Sequence, residues 1–182
     1  MVKKTNPSLD DISVFFDAAK GTMPKDHEDL KTNILRDSEK TNSELNKINS
    51  TIYEAAFIYE NLFIRTDILS KSKNKIKLIE VKAKSFNSRD KNILLNSHNQ
   101  ISSNWKPYLF DLAFQKFVVE KSNPHFKISA CLMLADKSKK ASIDGLNQLF
   151  QITNKNSRTG IEVKIKSIDE IGNSIMEELD IT

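Results

Sequence analysis

Apolar residues recur at two different periods along this chain, and the changes of period mark out the elements. From Ser8 to Lys20, Ile12, Phe15, Phe16 and Ala19 fall at helical spacing, with Ser8 or Asp10 placed to cap the first turn. Gly21 to Pro24 breaks the pattern. Asp26 to Ile48 resumes it through Leu30, Ile34, Leu45 and Ile48, around an almost wholly polar middle from Arg36 to Glu44. That spacing predicts a helix with a long solvated portion. The chain then becomes strand-like. Thr51–Tyr59, Leu62–Leu69, Ile76–Lys84 and Phe126–Ala135 are rich in β-branched and apolar residues and bounded by polar ones. The second and third read as a hairpin with a lysine-rich loop, Ser70 to Lys75. Phe86 to Lys106 has no clean period and reads as a loop or partly helical insertion. Pro107–Lys121 is helical again: Pro107 suits a first turn, and Phe110, Phe114, Phe117 and Val118 form one apolar face. Leu146–Ile152 reads as a short strand or helix, Gly160–Ile165 as an edge strand, and Ile168–Leu179 as a short amphipathic helix. Met1–Pro7 reads as a loose terminus.

A hairpin followed by a helix and another strand implies a crossover in a mixed sheet. The expected fold class is therefore α/β, a central mixed β-sheet flanked by helices. Residues 1–50 are expected to form an N-terminal helical segment of the same domain. Residues 51–182 are expected to form the α/β core, with a C-terminal strand and helix.

A chain of 182 residues is long enough for one domain with a substantial core. No run of about 18 apolar residues occurs, so the expectation is a soluble cytoplasmic protein with no membrane partner. The net charge of +4 comes from mixed signs, which permits nucleic-acid binding without requiring it. The single cysteine, Cys131, excludes an internal disulfide and fits a reducing cytosol. Its apolar surroundings, ISACLMLA, predict a buried, inert thiol. No Gly-rich phosphate loop is present, so neither NTP hydrolysis nor a nucleotide cofactor is expected.

Candidate chemistry concentrates on the hairpin. Glu80 and Lys82 share one strand face, while Ile79, Val81 and Ala83 take the other. Ile76 and Leu78 precede Glu80 on its own side, so the carboxylate reads as buried. A buried charge is costly unless it is paired or bound to a cation. Asp67 lies near the end of the preceding strand, where it could meet Glu80 across the hairpin. Two converging carboxylates suit a hard cation such as magnesium, and a lysine beside them can hold a phosphate or a water. The competing interpretation is an ordinary salt bridge from Asp67 to Arg65 or Lys82, with Glu80 and Lys82 on a solvated edge. Glu54, among apolar neighbours, is either a further acidic member of the site or the partner of Arg65. On the Pro107–Lys121 helix, Tyr108, Asp111 and Gln115 fall on one stripe. Lys71, Lys73, Lys75 and Lys84 are candidate contacts to a nucleic-acid backbone. Arg89 and Lys91 are candidate phosphate contacts, against a default of solvated charge. Trp105 reads as a core anchor, and His27 as a surface residue; His98 sits in no motif.

Asp67 with Glu80-Val81-Lys82 thirteen residues on resembles the core of the PD-(D/E)XK nuclease superfamily. The match looks closest to the RecB-like branch, which includes CRISPR-associated exonucleases. Four blocks in order are similar to a bacterial family carrying such a domain: IYEAAF at Ile52–Phe57, IRTDIL at Ile64–Leu69, LIEVKAKS at Leu78–Ser85 and DLAFQ at Asp111–Gln115. The resemblance covers roughly Thr51 to Ile152 and implies a restriction-endonuclease-like core. It implies a DNA-cleaving hydrolase that uses Mg2+ or Mn2+, with RNA as the other candidate substrate. Asp67, Glu80 and the Val81 carbonyl would hold the metal. Lys82 would orient the attacking water or neutralise phosphate charge. Gln115 matches a glutamine that faces the site in such families, and Glu54 and Asp111 would be auxiliary. The family's tyrosine four residues after that glutamine is Val119 here. Proteins of the resembled family are often longer than this chain. The alternative function is a non-catalytic nucleic-acid-binding or assembly module that keeps the fold. A third, a protein-interaction domain, accounts less well for a buried acidic pair.

Overall fold

The computed structural model describes residues 27–90, 92–155 and 158–181. Among these, the side chains of 27–31, 154, 155, 158 and 159 are not described. The expectations for Met1–Pro7, the Ser8–Lys20 helix, Lys91 and the His27 side chain lie outside the described residues. The elements are α1 (His27–Leu45), β1 (Asn49–Tyr59), β2 (Leu62–Ser72), β3 (Lys75–Phe86), α2 (Lys106–Ser122), β4 (Lys127–Asp136), β5 (Phe150–Lys155), β6 (Arg158–Val163) and β7 (Met176–Asp180). A mixed five-stranded sheet has the order β1-β2-β3-β4-β7, and β5 and β6 form a separate antiparallel ladder. This is the expected α/β class. No described helix is long and apolar enough to cross a membrane.

The described residues cluster into two compact units. One draws on residues 27–82, 94–133 and 178–181, the other on 83–90, 92–93, 134–155 and 158–177. In the first unit, α1 lies on β1. Its inward stripe is Ile34, Thr41 and Leu45, all buried. Thr41 is the device by which a polar helix packs. Its hydroxyl donates to the Asp37 carbonyl at 3.0 Å and accepts the Ala56 amide at 2.9 Å, so a strand donor is satisfied. Ile48 falls beyond the helix and is 71% exposed.

The β2–β3 hairpin is longer than expected. Both strands run to a two-residue turn at Lys73 and Asn74, with Lys73 at φ 54°. The ladder pairs Leu69 with Leu78, both fully buried. Lys71 is therefore a strand residue, 6% exposed. Its ammonium donates to the Lys47 and Ile48 carbonyls at 2.5 and 3.2 Å, just past the end of α1, and sits 5.3 Å from the Phe126 ring. This corrects its expected role as a solvent-facing phosphate contact: the group is committed inside the fold.

Helix α2 turns a different face inward from the one expected. Leu109, Leu112, Gln115, Val118 and Val119 are buried, while Phe110, Phe114 and Phe117 are 65%, 44% and 42% exposed. Both sides of this helix carry apolar residues, so periodicity alone does not choose between them. Trp105, just before the helix, is buried. Cys131 is buried too, and burial pushes its thiol up to about 12.

The segment between β3 and α2 fits its loop reading: its described residues hold turns and the isolated bridge Leu95↔Ile101, and none of them is helical before α2 begins at Lys106. One segment departs from expectation. The Ile168–Leu179 helix is absent. A short 3-10 turn, Ile168–Ile171, ends at Gly172 with φ 70°, and the chain continues as β7. That left-handed φ ends the helical turn, and a Cβ at Gly172 would collide with the Ser142 hydroxyl, so the position calls for glycine.

At the end of β4, the buried Asp136 accepts amides from Ser88 at 3.2 Å and Ser138 at 2.9 Å. Hydrogen bonds, led by those from Ser88, hold its carboxyl far below the usual carboxylate range. A depressed folded pKa contributes stability that is present above the unfolded value, about 3.9, and lost as pH falls. Asp136→Asn should therefore be less stable than the parent at pH 7. The gap between them should shrink as pH drops below about 4, read from urea midpoints along a pH series.

Candidate active site on strands β2 and β3 and helix α2

Three elements bring the candidate residues together. Glu80 and Lys82 alternate onto one face of β3, and α2 presents Asp111 and Gln115 one turn apart. Glu80 is 5% exposed, and both of its oxygens are engaged. Oε1 takes Lys82 Nζ at 2.6 Å, and Oε2 takes Gln115 Nε2 at 2.9 Å. Lys82 Nζ also reaches Asp111 Oδ2 at 2.9 Å, and Gln115 Nε2 reaches Asp111 Oδ1 at 3.3 Å. The four side chains form one closed network. Gln115 is buried, and its Oε1 has no hydrogen-bond partner among the described residues. An orphaned acceptor of that kind asks for a donor or a cation.

Asp67 enters from β2. The β2–β3 ladder stops at Ile68↔Ile79, one residue short of Asp67 and Glu80. The Asp67 carboxylate then takes the Val81 amide at 2.7 Å, replacing a ladder bond with a side-chain one. On the other side, Tyr53↔Ile68 and Ala55↔Thr66 bracket Glu54 and Asp67. Glu54, Asp67 and Glu80 therefore occupy one row across three strands, and the pairing is interrupted on both sides of Asp67. Glu54 sits at φ 54°, a left-handed conformation that costs a side chain about 1–3 kcal/mol. Its side chain is exposed and lines a 310 Å³ groove with Asp37, Tyr53 and Arg65. Arg65 pairs with Asp37 of α1 at 2.6 Å, so the alternatives that joined it to Glu54 or to Asp67 are not the pairing seen. Among the described residues, no three His, Cys, Asp or Glu side chains come together as a metal-holding group.

The network fixes charge states. Burial pulls the Lys82 ammonium down, but hydrogen bonds to Glu80 and Asp111 outweigh it, so its pKa stands above the ordinary lysine value. For Asp111, burial raises the carboxyl and the Lys82 and Gln115 hydrogen bonds lower it further, leaving it below the usual range. Lys82 is thus a fixed cation at neutral pH. It can donate hydrogen bonds and neutralise charge, but it cannot abstract a proton.

Val81 is 37% exposed. Lys73 and Lys75 are exposed at the hairpin tip, roughly 17 Å along β3 from Glu80 at about 3.4 Å per residue. Lys84 is half-buried on β3. Val119 is fully buried, so the position of the resembled family's tyrosine is core here. The row through Glu54, the Val81 amide and the central place of Asp111 were not readable from spacing, because each depends on strand register. Comparison with protein families, with curated proteins and with solved structures finds no match to this chain.

Proposed function

We propose that this chain is a metal-dependent nuclease that hydrolyses phosphodiester bonds in DNA on a PD-(D/E)XK, restriction-endonuclease-like core of the RecB-like branch. The observation that carries the reading is the buried Glu80. Its two oxygens meet Lys82 and Gln115, while Asp67 bonds to the very next amide. Asp67, Glu80 and the Val81 carbonyl would hold Mg2+ or Mn2+. They are hard oxygen donors, and magnesium keeps several waters, so two carboxylates are enough. The orphaned Gln115 Oε1 adds an oxygen beside them. A metal held by these residues would supply Lewis-acid polarisation of the phosphate and a water of lowered pKa. Lys82 supplies a permanent positive charge and donors for the phosphate or water. Asp111 and Gln115 hold Lys82 and Glu80 in place. Lys73 and Lys75 attract the backbone without reading sequence.

The last role has its own expected outcome. The Lys73→Ala/Lys75→Ala variant should bind DNA more weakly and lower the salt slope of log affinity by about 2, with the cleavage rate at saturating DNA unchanged. Binding measured from 50 to 200 mM salt checks it.

One observation favours a non-catalytic nucleic-acid-binding or assembly module instead: Lys82 and Gln115 already occupy both oxygens of Glu80. Calorimetric titration with Mg2+ and Mn2+ separates the two. Specific binding by the parent that Asp67→Ala loses supports the nuclease. No binding in the presence of DNA supports the module.

A further inference from the structure

Lys82 bridges two carboxylates at once. Its ammonium lies 2.6 Å from Glu80 Oε1 and 2.9 Å from Asp111 Oδ2, two negative charges against one positive. Glu80 does not need Asp111, because Lys82 and Gln115 already satisfy its two oxygens. Asp111 is a surplus anion on Lys82, and the buried Gln115 Oε1 is a surplus acceptor beside it. Surplus acceptors around a buried carboxylate favour the entry of a second cation. We propose that Asp111 is a positioning residue that keeps hold of Lys82 when Glu80 gives it up to bind a divalent metal ion. This inference rests on the nuclease reading above.

The two ends of the bridge differ in the way such an exchange needs. The Glu80 side chain is 6% exposed, Lys82 is 24% exposed and Asp111 is 42% exposed. At the dry end, an ammonium driven off Glu80 with no other anion in reach would be a desolvated, unpaired charge. Asp111 is already in reach, so one bond breaks, one is kept and no backbone has to move. Gln115 Nε2 meets Asp111 Oδ1 at 3.3 Å, one helical turn away, which leaves Oδ2 turned to Lys82. Lysine suits the exchange because its ammonium is a point charge with three donors on a flexible stem, with no planar fork to satisfy. The exchange also explains how Glu80 can have both oxygens engaged and still serve as a ligand: the group on Oε1 has a second seat.

The test titrates Mn2+ into the full chain and reads free Mn2+ by electron paramagnetic resonance. It compares the parent, Asp111→Asn, Lys82→Gln and the double variant, with urea midpoints to correct for any unfolded fraction. Asparagine keeps the size of Asp111 and removes its charge. Asp111→Asn should weaken Mn2+ binding at least tenfold, the scale of one charge-assisted hydrogen bond missing from the bound state. In the Lys82→Gln background the same substitution should change binding less than threefold, because no ammonium remains to be held. Equal losses in both backgrounds overturn the proposal and make Asp111 act on the metal itself. So does an Asp111→Asn variant that binds Mn2+ like the parent. Either result leaves the nuclease reading standing, whereas a parent that takes up no Mn2+ removes that reading and the exchange with it. Lysine ammonium signals in a heteronuclear NMR spectrum give a second readout that needs no Lys82 variant. At saturating Mg2+, Asp111→Asn should show one hydrogen-bonded ammonium fewer than the parent, and an equal number overturns the proposal.

Discussion

If the chain is the proposed nuclease, Lys82→Ala should lower the single-turnover rate of metal-dependent DNA cleavage by about two to three orders of magnitude, as loss of one preorganised charge donor does elsewhere. The size follows from its position. Lys82 is held by two carboxylates at 2.6 and 2.9 Å, so its charge needs no reorganisation when charge builds on the phosphate. Its raised pKa removes proton abstraction from its repertoire, so the cleavage rate should show no step from Lys82 between pH 6 and 9. The variant removes one partner of a buried ion pair, so circular dichroism and a urea midpoint should accompany the rate, and the loss of rate is read on the fraction that is folded. DNA affinity should change far less than the rate, since Lys73 and Lys75 remain. A variant that cleaves as fast as the parent removes Lys82 from the chemistry.

Glu80→Ala should destabilise the chain by about 3–5 kcal/mol, the range for breaking a buried ion pair by removing one partner. Glu80 has a side-chain exposure of 6% and Lys82 of 24%, so solvent does little to replace the lost contact. Lys82 would be left with the more exposed Asp111 alone. The double variant Glu80→Leu/Lys82→Met should recover most of that loss, because no uncompensated charge remains. Urea denaturation of the parent, both singles and the double measures the coupling directly. A cost below about 1 kcal/mol for Glu80→Ala would mean that the network is solvated and that Glu80 is not held as described.

Much of this architecture was legible because strong periodic signals carry it. Leu69 and Leu78 flag the hairpin, and the β4 run from Ile128 to Leu134 leaves little choice but a buried strand. The failures share a cause: they turn on tertiary partners that a pattern cannot name. Lys71 reads as loop because a lysine in a strand looks solvated, yet its stem is buried and its ammonium caps carbonyls beyond α1. The face of α2 was misassigned because phenylalanines outrank leucine and valine in bulk, while the sheet takes Leu112, Gln115 and Val119. The C-terminal strand β7 hid behind a helical spacing that Gly172 interrupts. In the site, alternation placed Glu80 and Lys82 together, and helical spacing aligned Asp111 with Gln115. How Asp67 meets this group depends on where the ladder ends, which only register reveals.

Incubation of the purified chain with linear duplex and single-stranded DNA, with and without Mg2+ or Mn2+, tests the central claim most directly. The account predicts degradation that requires the metal, stops on addition of EDTA and is absent from Asp67→Ala. A folded chain that shows no metal-dependent cleavage of any DNA or RNA, at any metal concentration up to the millimolar range, would contradict it.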